Sequence, residues 1–259
     1  MRDIQDEKDE RRIEVDRVGV KDILYPIIVM DKRKEQQSTI ASINMYVNLP
    51  HHFRGTHMSR FVEVLNQHRG AVSLANLHAI LEEIKKALKA DSAYIEISFP
   101  YFIEKRAPVS KAKSLMDYRC RFIASHDDKM HLTLEVNVPV TSLCPCSKSL
   151  AKNSAHNQRS IVTVWIDTKK LIWIEDIVNL VEQCASAQVY ALLKREDERY
   201  LTEQAYRHPA FVEDVVRSVA EKLLKLEKRK QLRFFSVEAE NFESIHNHNA
   251  YAKIEWANR

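Results

Sequence analysis

The chain has 259 residues, 45% hydrophobic and 29% charged, an ordinary globular composition with enough length to bury a substantial core. A formal net charge of +4 with both signs interspersed is a weak argument for a nucleic-acid partner and none for a polybasic arm, and no apolar run reaches the ~20 residues of a membrane helix. Three glycines (Gly19, Gly55, Gly70) write neither a P-loop nor a dinucleotide-binding loop, and four cysteines make no disulfide framework, so a cytoplasmic location is expected.

The opening MRDIQDEKDERR has no apolar stretch of the signal-peptide kind, and residues 1–14 are expected to be a flexible tail. Strands are predicted around 22–30 and 38–49, helices near 57–68 and 73–89, and strands at 93–103 and 113–125. HLTLEVNVPV sets Leu132, Leu134, Val136, Val138 and Val140 at every second position, a half-buried strand over 131–140. A β-branched strand follows at 160–167. The stretch 171–194 carries Ile177, Leu180, Val181, Cys184, Gln188 and Ala191 at helical spacing. A second helix begins near Pro209, with Phe211, Val212, Val215, Val216 and Val219 on its stripe, and strands return at 231–243 and 250–256.

The order β-β-α-α-β-β thus occurs twice with a period of about 120 residues, which predicts two similar modules, 15–126 and 127–259, each an antiparallel sheet backed by helices. Such sheets leave edges that must be closed or paired, so a ring-like oligomer joined edge to edge is expected.

Polar chemistry collects in the second module. Cys144 and Cys146 flank Pro145 in a turn after the strand 131–140, and His156 follows just before the next strand. LLKREDERYLTEQ, between the two helices, holds Glu198. ESIHNHNAYA sets His246 and His248 two apart, on one face if the stretch is extended. Thiolate, imidazole and carboxylate together are a transition-metal ligand set, although C-x-C alone is a weak signal and spacing does not separate a structural from a catalytic ion. Cys120 and Cys184 read as core thiols.

PVTSLCPCSKSL with SAHNQRS, LLKREDERYLTEQAYRHPAFVEDVVR, ENFESIHNHNAYA and GTHMSRF together resemble the prokaryotic type IB GTP cyclohydrolase I family, in order and interval, from about residue 15 onward. The resemblance implies an α+β tunnelling fold of two tandem ββααββ modules, a homotetramer with sites at subunit interfaces, and no nucleic-acid or membrane partner. It implies conversion of GTP and water to 7,8-dihydroneopterin triphosphate and formate, the first step of tetrahydrofolate biosynthesis, whose product also feeds queuosine precursors.

Carried over by position, Cys144, His156, Glu198 and His246 match the ligands of a divalent ion (Mn or Zn, with Fe a further candidate), His248 being the alternative to His246. Cys144 and Cys146 match active-site thiols, the unliganded His248 would relay protons, and Glu213 matches the carboxylate that holds the guanine edge. Lys148 and Arg159 are triphosphate candidates because they flank these motifs. Asn249, where many relatives carry aspartate, is the one small variation. Two rivals remain: the metal-free, NADPH-dependent nitrile reductase of the same fold, with Cys146 as nucleophile, and a non-catalytic assembly module stabilised by a metal.

Overall fold

The structure, a computed structural model, describes residues 5, 7–68, 74–230 and 232–258. Residues 1–4 and 6 of the expected tail, residue 73 of the second expected helix and residue 231 of a later strand lie outside these. The chain divides into two compact units, Met1–Pro100 with Arg121–Thr133, and Tyr101–Cys120 with Leu134–Arg259.

In the first unit, β1 (Val15–Asp31) pairs antiparallel with β2 (Glu35–Leu49), which pairs with the start of β3 (Ala93–Arg106). The β1–β2 turn is fixed by the Asp31 carboxylate, which accepts from the backbone N–H groups of Arg33 and Lys34, both at 2.8 Å. Strict alternation puts Ala41, Ile43, Met45 and Val47 of β2 on the buried face. Helices α1 (Met58–Gln67) and α2 (Leu77–Leu88) cover that face with Phe61, Leu65, Ile80, Leu81 and Ile84. Near the amino terminus, the carbonyls of Gln5 and Glu7 accept from Gly55 and Arg54.

The second unit takes the rest of β3, part of β4 (Lys113–His126) and most of β5 (Met130–Leu143), then α3 (Pro145–Leu150), β6 (Asn157–Thr168), α4 (Ile174–Glu182), β7 (Ala187–Gln188), α5 (Arg195–Arg207), α6 (Val212–Lys230), β8 (Leu232–Asn241) and β9 (Ala250–Ala257). Its antiparallel order is β5-β6-β8-β9, with β7 added to β5. Val136, Val138 and Val140 of β5, Val162 and Val164 of β6, and Phe235 and Val237 of β8 are buried, as are Ile177 and Val181 of α4 and Val215, Val219 and Leu223 of α6. Helices α4 and α6 therefore each turn an apolar stripe inward.

Three expected elements differ. The helix over 171–194 ends at Glu182, where the Cys184 N–H bonds back to Val181 O and Ala187–Gln188 pairs with Val140–Thr141 instead. A free edge on β5 offered ladder hydrogen bonds that helical continuation would have left unused. The segment read as lying between two helices is itself the 13-residue helix α5. Its inward stripe is only Leu201 and Ala205, packed on Leu143, Ala155 and Ala187, too little for periodicity to reveal. Finally, residues 242–249 form an irregular bend, not an extended strand. Cys120 is buried as expected, whereas Cys184, just past α4, is half-buried. Among the described residues, no helix is long and apolar enough to cross a membrane.

Gly19 sits where β1 crosses Tyr46, and a Cβ there would collide with the Met45 carbonyl. Gly19→Ala should therefore destabilise by ~1–3 kcal/mol, read from the urea midpoint. Gly55→Ala should leave the midpoint unmoved, because the atom nearest its added Cβ would be Gln5 Cγ at an ordinary 3.5 Å. Equal midpoints for the two variants would refute this steric argument.

Candidate active site

The β5–β6 ladder sets the site. Its register pairs Ser142 with Gln158 and Leu143 with Asn157, so Cys144 leaves β5 beside His156 as it enters β6. Pro145 at the first helical position then starts α3, and the Cys144 thiol accepts from the Ser147 N–H at 3.4 Å as its cap. What the sequence suggested was a stiff turn is thus a six-residue helix. Two further bonds close the loop, from Cys144 N–H to His156 O (3.1 Å) and from His156 N–H to Ser147 Oγ (3.2 Å).

The His156 ring is held at Nδ1, 3.0 Å from Gln158 Oε1 and 3.8 Å from Glu243 Oε2. On the bend after β8, the rings of His246 and His248 stack with centroids 5.0 Å apart and planes at 19°. Opposite, the Phe211 N–H donates to Asp214 Oδ2 (3.1 Å), capping α6 and placing Glu213 in its first turn. Cys144, His156, Glu213, Glu243, His246 and His248 all line one cavity of about 290 Å³.

The structure thus brings together five of the sequence candidates: Cys144, His156, Glu213, His246 and His248. Four others do not line this cavity. Cys146 is exposed on α3. Lys148 is engaged elsewhere: its ammonium donates to Tyr206 O at 2.6 Å and lies 4.5 Å from the Tyr206 ring centroid, against the end of α5. Glu198, in the first turn of α5, lines a second cavity of about 430 Å³ with Arg159; Gln158 lines both cavities. Arg159 also faces a third, of about 650 Å³, with Arg119 and Asp117.

Glu243 was missed by the sequence reading, although it lies in the quoted ENFESIHNHNAYA. Its only signal was a carboxylate three residues before His246. The donor chemistry around the first cavity suits a divalent transition ion, since sulfur, imidazole and carboxylate converge there. Among the described residues, however, no three His, Cys, Asp or Glu side chains stand close enough, as placed, to hold one.

The helix carrying Glu198 is anchored by its neighbour. Asp197 is 0% exposed and accepts from Val109 N–H (2.8 Å), Ser110 N–H (2.9 Å), Ser110 Oγ (2.6 Å) and Lys194 N–H (2.8 Å). It therefore pins the β3–β4 turn to the start of α5. Burial pushes this carboxyl upward, but the hydrogen bonds led by Ser110 outweigh it and hold it well below the usual carboxylate range.

The antiparallel sheet with helices laid on it is the architecture of a tunnelling-fold protein, and its first cavity gathers a thiol, imidazoles and carboxylates from strand ends, a bend and a helix start. Solved structures support the fold: uricase from Arthrobacter globiformis matches with a TM-score of 0.55 at 7% identity, covering 93% of both chains. Urate oxidase from Bacillus sp. TB-90 gives 0.54 at 8% identity, covering 94% of this chain and 100% of that one.

Residues 1–252 match the family model described as type I GTP cyclohydrolase folE2, and the chain belongs to that family. It is 58% identical over 259 residues to GTP cyclohydrolase FolE2 of Syntrophotalea carbinolica, covering 100% of this chain and 96% of the relative. It is 59% identical over 256 residues to the FolE2 of Syntrophus aciditrophicus, covering 98% and 99%. The resemblance read from the four motifs is borne out.

A depressed carboxyl pKa contributes stability that is fully present above the unfolded value of ~3.9 and is lost as pH falls below it. The melting-temperature gap between wild type and Asp197→Asn should therefore be widest near neutrality and narrow below about pH 4. A gap that stays constant down to about pH 3 would show that the ionised carboxylate is not the anchor.

Proposed function

We propose that this chain hydrolyses GTP to 7,8-dihydroneopterin triphosphate and formate, the entry reaction to tetrahydrofolate. The family match over residues 1–252 carries this reading, and the meeting of Cys144, His156, Glu213 and His246 on one cavity supports it. Glu213 can accept from guanine N1–H and the 2-amino group together, a pattern that adenine cannot supply. His248, whose ring stacks on that of His246, would carry a proton to the ring nitrogen as the C–N bonds of the imidazole ring break.

Cys144, His156 and His246, with Glu198 from the cavity that shares Gln158, would hold a divalent ion such as Mn, Zn or Fe. Such an ion, when bound, makes water a nucleophile near neutral pH by drawing its pKa from 15.7 toward ~7. Cys146 is a second thiol for the reaction, adjoining Cys144 through Pro145. Arg159 supplies a guanidinium suited to phosphate oxygens, and Lys148 would serve there only by leaving Tyr206.

The wider reading is a cytoplasmic homotetramer of two ββααββ modules, 15–126 and 127–259, with sites at subunit interfaces and no nucleic-acid or membrane partner. Among the described residues β1 pairs with β2 alone and β9 with β8 alone, which suits assembly by sheet edges.

Chelated protein should stay folded, release no formate from GTP, and regain activity with Mn²⁺. Glu213→Ala should lose kcat/KM by roughly 10²- to 10⁴-fold while binding Mn²⁺ as wild type does, because two hydrogen bonds to a charged group are removed without touching the ion. Cys144→Ala should lose Mn²⁺ binding itself. Formate release and pterin fluorescence, set beside metal titration, separate these outcomes, and an unchanged KM for GTP in Glu213→Ala would sink the guanine assignment.

A further inference from the structure

We propose that Gln158 is a positioning residue that locks His156 as the Nδ1–H tautomer and leaves Nε2 as the atom with a lone pair to offer. The backbone around the ring is immobilised first. His156 N–H donates to Ser147 Oγ, His156 O accepts from Cys144 N–H, and β6 is paired with β5 from Asn157 and with β8 from Ser160. Only the ring proton is then left to be fixed.

Gln158 is 7% exposed, and its Oε1 stands 3.0 Å from His156 Nδ1. The same Nδ1 faces Glu243 Oε2 at 3.8 Å, a side chain that is itself only 10% exposed. An ionised carboxylate only accepts, and an amide oxygen only accepts, so both neighbours favour a proton on Nδ1. The opposite amide orientation would aim an N–H at Nδ1 and turn its lone pair toward a carboxylate, an arrangement with like polarity face to face. Fixing the proton on one imidazole nitrogen decides which nitrogen keeps the lone pair that can bind a cation. The cation arm of this inference rests on the reading given under Proposed function; the tautomer arm does not.

The test uses metal-free full-length protein labelled with ¹⁵N-histidine at about pH 8, above the ordinary imidazole value of ~6.5. Two-bond proton–nitrogen correlation reads the tautomer, with the His156 signals identified by their absence in His156→Ala. Wild type and Gln158→Glu should show Nδ1–H, whereas Gln158→Met, of similar length without an acceptor oxygen, should shift toward Nε2–H. Mn²⁺ titration of the same proteins should show affinity weakened by about 10- to 100-fold in Gln158→Met and recovered in Gln158→Glu. An Nε2–H tautomer in wild type overturns the proposal even if Gln158→Met does not fold. Unchanged tautomer and affinity in a folded Gln158→Met overturn it as well. Wild-type Mn²⁺ affinity in His156→Ala would instead overturn the ligand reading alone, and the tautomer spectra would then decide the proposal.

Discussion

The pairing register of β5 with β6 is the constraint on which the site depends. Leu143 opposite Asn157 is the last rung of that ladder, and Cys144 and His156 are the residues immediately beyond it on each strand. Because side chains alternate with period two, a slip of one residue would turn Val136, Val138 and Val140 out of the core and displace Cys144 from His156 in the same step. Burial of the apolar face thereby specifies the polar site: the register that hides the valines is the one that joins thiol to imidazole. The two backbone and side-chain bonds across the 144–156 loop finish what the ladder begins.

Around this ladder the second unit uses buried polar anchors to hold its less apolar parts. Lys105 of β3 donates to Glu182 at the end of α4 (2.6 Å) and to Val189 O (2.8 Å), while Tyr118 of β4 donates to the same carboxylate at 2.9 Å. Burial presses the Lys105 ammonium toward its neutral form against the pull of Glu182, and burial with the nearby Glu182 raises the Tyr118 phenol. These bonds tie the end of α4 and the chain just beyond it to β3 and β4. Asp197 plays the equivalent part for α5, a helix too polar to be secured by its stripe of two apolar side chains.

Much of this was legible in the residues, and the failures have a common cause. The strands 131–140 and 160–167, with alternating or β-branched side chains, carry a signal set by burial on one face, and both formed. The helix over 171–194 was overextended because Cys184 and Gln188 continue its spacing, yet Gln188 belongs to an edge strand whose only recommendation is a vacant ladder on β5. Long-range hydrogen bonding leaves no local periodicity to read. Glu198 and the histidines stood out as ligand chemistry between the expected elements, and the resemblance gave them roles, whereas Glu243 meets His156 only across the gap between β6 and the bend after β8, a contact invisible along the chain. Lys148 illustrates the converse: it flanks the motif in sequence, but the fold gives it to Tyr206.

The choice of an amide at position 158 follows from the charge already present. Glu213 and Glu243 line the cavity, and a nucleoside triphosphate brings further negative charge toward it. A carboxylate at 158 would orient the imidazole as well as glutamine does, but it would set a third anion within reach of the other two. Two like charges about 4 Å apart repel by about 4 kcal/mol at an effective dielectric of about 20, so an added anion close to the others carries a cost. An amide oxygen accepts the Nδ1 proton with a dipole instead of a net charge. The histidine is therefore held in one tautomer without deepening the negative field that its polyanionic substrate must enter, which reconciles two demands that a carboxylate would set against each other.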